Sequence, residues 1–140
     1  MEGEGNGLRE LSREECLQHL ASHAGRIGRL AFVVAGAPLN LPVNYAVHRG
    51  RVIFRTSLGT KLDHVTRGAK VAFEVDDVDP DWRSGWSVVV QGTAEEVTDL
   101  HEVSELRRLQ LQSWVAGRRD RYVRIEPTSV TGRELVADAL

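Results

Sequence analysis

The chain has one cysteine, Cys16, in 140 residues, so no intrachain disulfide can form. No run approaches the ~20 apolar residues that a membrane-spanning helix needs. The opening, MEGEGNGLRE, is acidic and glycine-bearing and holds no apolar leader segment. A reducing cytoplasm is the expected location. No excess of positive charge exists either. Lys and Arg number 18 against 20 Asp and Glu, for a net charge of −2. That balance argues against a nucleic-acid partner, which a concentrated basic face would serve. One local basic run, Arg118, Arg119, Arg121 and Arg124, reads as a solvated face or a local anion contact. No GxSxG nucleophile setting is present, and no internal repeat or low-complexity segment. Cys16, His19 and His23 lie on one face of one helix, but no second ligand cluster accompanies them, so no metal is expected.

What is present is an ordinary core-forming composition, 41% apolar. Residues 1–10 are expected to be a disordered tail and 11–140 a single domain. Ser12 and Glu15 have the spacing of a capping box, followed by a helix to about residue 24. Leu17, Leu20, Ala21 and Ala24 form its expected buried stripe. Strands are expected at 28–34, 39–47 (bent near Pro42), 51–56, 70–75, 86–97 and 122–135 (broken at Pro127). A short helix at 60–67 and a longer one from 99 to about 114 interrupt them. The longer one carries Leu100, Val103, Leu106 and Leu109 at helical spacing. The fold class is therefore mainly β with short helices, a six-stranded antiparallel sheet. So short a chain cannot cover both faces of a flat sheet, and closure into a small barrel removes the exposed edges. The runs at 31–34 and 88–90 are nearly continuously apolar, which invites a second subunit as cover.

The most informative stretch is VIFRTSLGTKLDHV, residues 52–65. A strand passes through a hydroxyl- and glycine-bearing turn into a short helix. Free N–H groups and positive dipole at a helix start favour an anion. Arg55 and Lys61 add charge, and Thr56, Ser57 and Thr60 add hydroxyl donors. The corner suits a phosphate. Read singly, Arg55 and Lys61 are charges flanking a turn.

The ordered set GRLAFV, LPVNYAV, VIFRTSLGTKL, VAFEVDD, GWSVVVQGTAEEV and YVRIEPTSVTGREL resembles the pyridoxamine 5′-phosphate oxidase-like proteins, the flavin-binding split β-barrels. The likeness runs from about residue 11 to 135. It implies a homodimer with flavin sites in clefts between subunits, and a small-molecule substrate. It implies that Pro42, Val43, Asn44 and Tyr45 lie along the flavin ring. It implies that Arg55, Thr56, Ser57, Thr60 and Lys61 hold the ribityl phosphate, and that Trp86 and Ser87 reach the flavin from the partner subunit. Trp114 is a further candidate cover for the ring. Asn44 serves either as a solvent-facing strand residue or as a donor–acceptor amide at the ring's polar edge. Trp86 and Trp114 serve either as packing aromatics or as lids. FMN is the expected cofactor, with a deazaflavin as alternative and FAD or haem behind it. True pyridoxamine phosphate oxidases carry a C-terminal segment whose arginine and histidine hold the substrate phosphate. No such segment is found, so oxidoreduction of another small substrate is expected. A carrier that holds the cofactor without turnover is the alternative. No catalytic residue is assigned; Tyr45 and His64 are the only acid–base candidates.

Overall fold

The computed structural model describes residues 7–56, 61–81, 83–111 and 121–136, with backbone alone at 61 and 62. Ser57, Thr60, Trp114, Arg118 and Arg119 lie outside the described residues, as do 1–6 of the expected tail. Among the described residues, eight strands form one antiparallel sheet: β1 (Leu8–Glu10), β2 (Ile27–Val34), β3 (Ala37–Asn44), β4 (Ala46–His48), β5 (Arg51–Thr56), β6 (Arg67–Val78), β7 (Gly85–Glu96) and β8 (Arg121–Leu135). The helices are α1 (Arg13–Ser22) and α2 (Leu100–Arg107), with a 3-10 helix at Lys61–Thr66.

The order across the sheet is β3-β2-β6-β7-β8-β5-β4, with β1 also on β8. Its two outermost strands, β3 and β4, are joined by the single residue Tyr45. A sheet whose ends are one residue apart must curl on itself. The result is a split β-barrel, and Tyr45 is its seam. The Tyr45 carbonyl accepts from the Gly25 N–H at 2.8 Å, and its hydroxyl donates to the Leu20 carbonyl at 2.7 Å. Tyr45 is fully buried, edge-on to Phe73 at 5.0 Å between ring centroids.

Two differences from the sequence reading follow from pairing. The expected second strand divides at the seam into β3 and β4. The expected tail gives up residues 8–10, because Leu8, Arg9 and Glu10 find partners in Leu135, Glu134 and Arg133. Arg9 fixes that edge by pairing with Glu15 at 2.9 Å and Glu134 at 3.0 Å. With β1 added and one strand split, six strands become eight.

Alternation fills the barrel. Leu30 and Phe32 of β2, Val71, Phe73 and Val75 of β6, and Val88 and Val90 of β7 point inward and are buried. A bulge on β8 at Thr128, opposite Gln91 and Gly92, restores the inward parity of Ile125 and Val130 on either side. The Thr128 hydroxyl donates to the Gln91 carbonyl at 3.1 Å. Helix α1 covers one end. Its capping box forms as expected, Ser12 with Glu15. Of its expected stripe, Leu20 is buried and Leu17 and Ala24 pack against the core, whereas Ala21 is exposed and Cys16 is buried in its stead. Cys16 takes that place because the glycine at 132 on β8 leaves room for its sulfur.

Helix α2 packs outside the barrel. Leu106 joins Ile53, Val97, Leu111 and Tyr122 in a second cluster. The helix is shorter than expected, and Leu100 is 84% exposed rather than buried. Val97, which precedes the Asp99 cap, fills the position assigned to it. Among the described residues no helix is long and apolar enough to cross a membrane.

On the outer face of the sheet, Ala31, Ala72 and Val89 are half-buried and Val33 is 66% exposed. Glu74 sits among them, flanked by Arg29 and Val89 in register. Burial first, then a hydrogen bond with Asp76 and the charge of Asp76, push the Glu74 carboxyl from 4.5 to about 7, against the pull of Arg29. The folded chain thus holds a proton here that the unfolded chain releases. Between about pH 4.5 and 7 this contribution to stability falls as pH rises. Glu74→Gln removes the dependence. Its melting temperature relative to the parent is expected to be higher at pH 8 than at pH 5, by calorimetry. An offset identical at both pH values contradicts the assignment.

Candidate functional site

The anion corner begins where β5 ends. Thr56 is 1% exposed, and its strand neighbour Arg55 pairs with Tyr122 in register. The Arg55 guanidinium donates to the Leu111 carbonyl at 2.8 Å and lies 5.5 Å from the Tyr122 ring centroid. It therefore ties the corner to the chain leaving α2. Lys61 opens the next element as expected. That element is a six-residue 3-10 helix, not an α-helix, so its dipole is a weaker attraction than the sequence reading assigns. What the corner's sequence offers an anion is therefore charge and hydroxyls more than a helix dipole.

The 3-10 helix is held by a cluster that the sequence does not reveal. Arg121 donates to Asp63 on the helix and, at 2.5 Å, to Glu96 at the end of β7; it also reaches the Thr66 hydroxyl at 3.4 Å. These groups are largely shielded, with side-chain exposures of 17% for Arg121, 22% for Asp63 and 29% for Glu96. The Thr66 hydroxyl donates to the Asp63 carbonyl at 2.8 Å. Arg121 had been visible only as part of a basic run. The register that sets Arg121 opposite Thr56 gives it its role. Arg124 is likewise engaged, with Glu102 at 2.9 Å and Glu95 at 3.5 Å.

The seam brings the end of β3 to this corner. Only Tyr45 separates β3 from β4, the partner of β5, and β3 itself touches β5, so Asn44 at the end of β3 comes near β5. Pro42 and Asn44 face outward and are half-buried. Val43 and Tyr45 alternate inward, and both are core residues. Their side chains therefore pack inside the barrel. Tyr45 is also no acid–base group: burial raises its hydroxyl further from neutrality, and its proton is given to Leu20. His64 is exposed and lines a cavity of about 220 Å³ with Asp63 and Arg67.

Trp86 and Ser87 lie elsewhere. Trp86 and Glu95 are nine positions apart on β7, roughly 30 Å of strand. Within one chain they cannot meet the corner. They also face opposite ways. The Trp86 ring stacks on His19 at 4.2 Å and meets the edge of His23 at 5.4 Å, so these two histidines of the α1 region grip an aromatic. No metal-holding group is found among the described residues. Ser87 points to the outer face, into a cleft of about 570 Å³ lined by Leu8, Asp76, Val78, Gly85, Trp86, Ser87, Arg133 and Leu135.

A curled antiparallel half-barrel of this kind is the architecture of the split-barrel class. The chain matches the family described as Pyridoxamine 5′-phosphate oxidase over residues 12–134, and it belongs to that family. It is 46% identical over 135 residues to the uncharacterized protein Rv0080 of Mycobacterium tuberculosis, covering 93% of this chain and 87% of that one. Among solved structures, it is similar to the FAD binding protein from Mycobacterium smegmatis, with 36% identity, TM-score 0.74, and coverage of 90% of this chain and 97% of that chain. It is also similar to a FAD-binding protein from Mesorhizobium loti, with 29% identity, TM-score 0.72, and coverage of 91% and 96%.

Proposed function

We propose that the protein is a flavin-dependent oxidoreductase acting as a homodimer on a small substrate. The observation that carries this reading is the family match across residues 12–134 in a chain that keeps Arg55, Thr56 and Lys61 at the β5 corner. That donor set fits a phosphate monoester, with Asn44 placed to offer its amide to a ring lying along β3. A bound flavin supplies the exchange of hydride or electrons. The chain's own residues hold the phosphate, orient the ring and leave one ring face open to substrate.

The flavin mononucleotide portion is common to FMN and FAD. The sequence favours FMN; the two relatives named for FAD make FAD the form to test against it. Ion pairing of Arg121 and Arg124 withdraws two of the four cations that a deazaflavin's long anionic tail would use. That favours flavin over deazaflavin. The dimer reading draws support from the outward apolar positions around Val33 and Val89. It draws further support from the roughly 25 Å of β7 between Ser87 and Glu95, which only a second copy could span.

Lys61→Ala is expected to weaken FMN binding about ten- to a hundredfold, the effect of losing roughly 1.5–3 kcal/mol from one charged hydrogen bond. Arg55→Ala is expected to do the same and also to loosen the Leu111 carbonyl. Riboflavin, lacking the phosphate, should be little affected by Lys61→Ala. Equal losses for FMN and riboflavin in fluorescence titrations would exclude Lys61 as a phosphate ligand. Reduction by a nicotinamide donor and reoxidation by substrate separate an enzyme from a carrier.

A further inference from the structure

The cleft on the outer face is built from two rows of one face of the sheet. Val78, Gly85, Leu135 and Leu8 form one row across β6, β7, β8 and β1; Asp76, Ser87, Arg133 and Glu10 form the next. The first row is apolar and has a gap in its middle, because Gly85 carries no side chain between Val78 and Leu135. A Cβ there would approach Val78 Cα and Cγ2 to 3.0 Å each, so the slot exists by virtue of that glycine. The second row sets one hydroxyl between two opposite charges. These charges are not equivalent. Asp76 lies two residues from the Glu74 carboxyl on β6 and helps to hold its proton. Arg133 is exposed, and its guanidinium makes no hydrogen bond or ion pair with another described residue. Arg9 pairs with the neighbouring Glu134, and Glu10, which faces Arg133 across the β1–β8 ladder, makes no ion pair with it.

We propose that this slot binds a small apolar molecule bearing one anionic group, such as an aryl or branched-alkyl carboxylate. The apolar body lies over Gly85 between Val78, Leu8 and Leu135. The anion meets Arg133, with the Ser87 hydroxyl as a second donor. Resting on the flavin reading above, the slot is the substrate pocket that each subunit turns towards its partner's cofactor, and apolar acids are the substrate class. The volume, about 570 Å³, is that of a small-molecule site rather than of a macromolecular groove.

The test uses two fluorescent probes on the full chain as purified: anilinonaphthalene sulfonate, an apolar anion, and phenylnaphthylamine, its uncharged counterpart. Saturable binding of the sulfonate at one site per chain is expected. Arg133→Gln should weaken it about fivefold, the scale of an exposed ionic contact, and leave phenylnaphthylamine unchanged. Val78→Trp, at a position already 39% exposed and so tolerant of bulk, should exclude both probes while leaving the circular dichroism and the sedimentation coefficient unchanged. Indifference of the sulfonate to both variants overturns the proposal, as does an equal loss of both probes in Arg133→Gln. The flavin spectrum of the same samples is read separately. Lack of flavin counts against the cofactor reading, whereas flavin bound without probe binding overturns the slot alone.

Discussion

Gly92→Ala is expected to destabilise the fold by about 3 kcal/mol or more, a large share of the ~5–15 kcal/mol typical of a domain. Gly92 sits on β7 at the bulge, opposite Pro127. A methyl there would collide with the Glu126 carbonyl oxygen and come within 2.9 Å of its carbon and 3.0 Å of Pro127 Cα. All three atoms belong to backbone, so no rotamer change relieves the clash. Relief requires β7 and β8 to part, and this ladder holds both Val90 and Ile125 in the core. Urea denaturation measures the effect. Gly25→Ala is the contrasting case: a Cβ there meets nothing within 4 Å, and only its φ of +90° opposes the change. A Gly92→Ala midpoint no lower than that of Gly25→Ala would contradict the packing described for the bulge.

Arg121→Ala is the second change with a large expected effect, and it acts on stability and ligand binding together. It leaves Asp63 and Glu96 shielded, like-charged and without their shared cation. Breaking such a partly buried arrangement costs on the order of 3 kcal/mol. The 3-10 helix loses its tie to β7 and β8, and Lys61 at its start loses its fixed position. Flavin affinity should therefore drop at least tenfold, although Arg121 is assigned no contact with the ligand. Adding Asp63→Asn and Glu96→Gln to Arg121→Ala should recover most of the stability, because no like charges then remain to repel. It should not restore affinity, because the tie is still missing. Recovery of both would show that charge alone, not the tie, sets the corner.

The sequence made the strands legible wherever alternation and turn chemistry agreed. The 49–50 turn, with Arg49 and Gly50 both at positive φ, and β5 at Arg51–Thr56 fall where the pattern sets them. The capping box of α1 does too. Pairing partners were not legible. Nothing in Leu8–Glu10 announces a strand; it becomes one because Leu135, Glu134 and Arg133 lie beside it. The division at Tyr45 follows from barrel closure, a property of the whole sheet. Of the candidate site, the corner around Arg55 and Thr56 was legible because its residues are consecutive. Arg121, 58 positions from Asp63, was not. Strand parity also separated residues that the resemblance grouped: Val43 from Asn44, and Trp86 from Ser87.

The central claim is a flavin held in a site completed by a second copy of the chain. Sedimentation equilibrium of the flavin-loaded protein, recorded at both the protein and the flavin absorbance, tests it most directly. Both signals are expected to fit one species of twice the chain mass with one flavin per chain, and Lys61→Ala is expected to release the flavin signal without dissociating that species. Flavin colour that sediments with a single chain would contradict it, as would a dimer that carries no flavin signal.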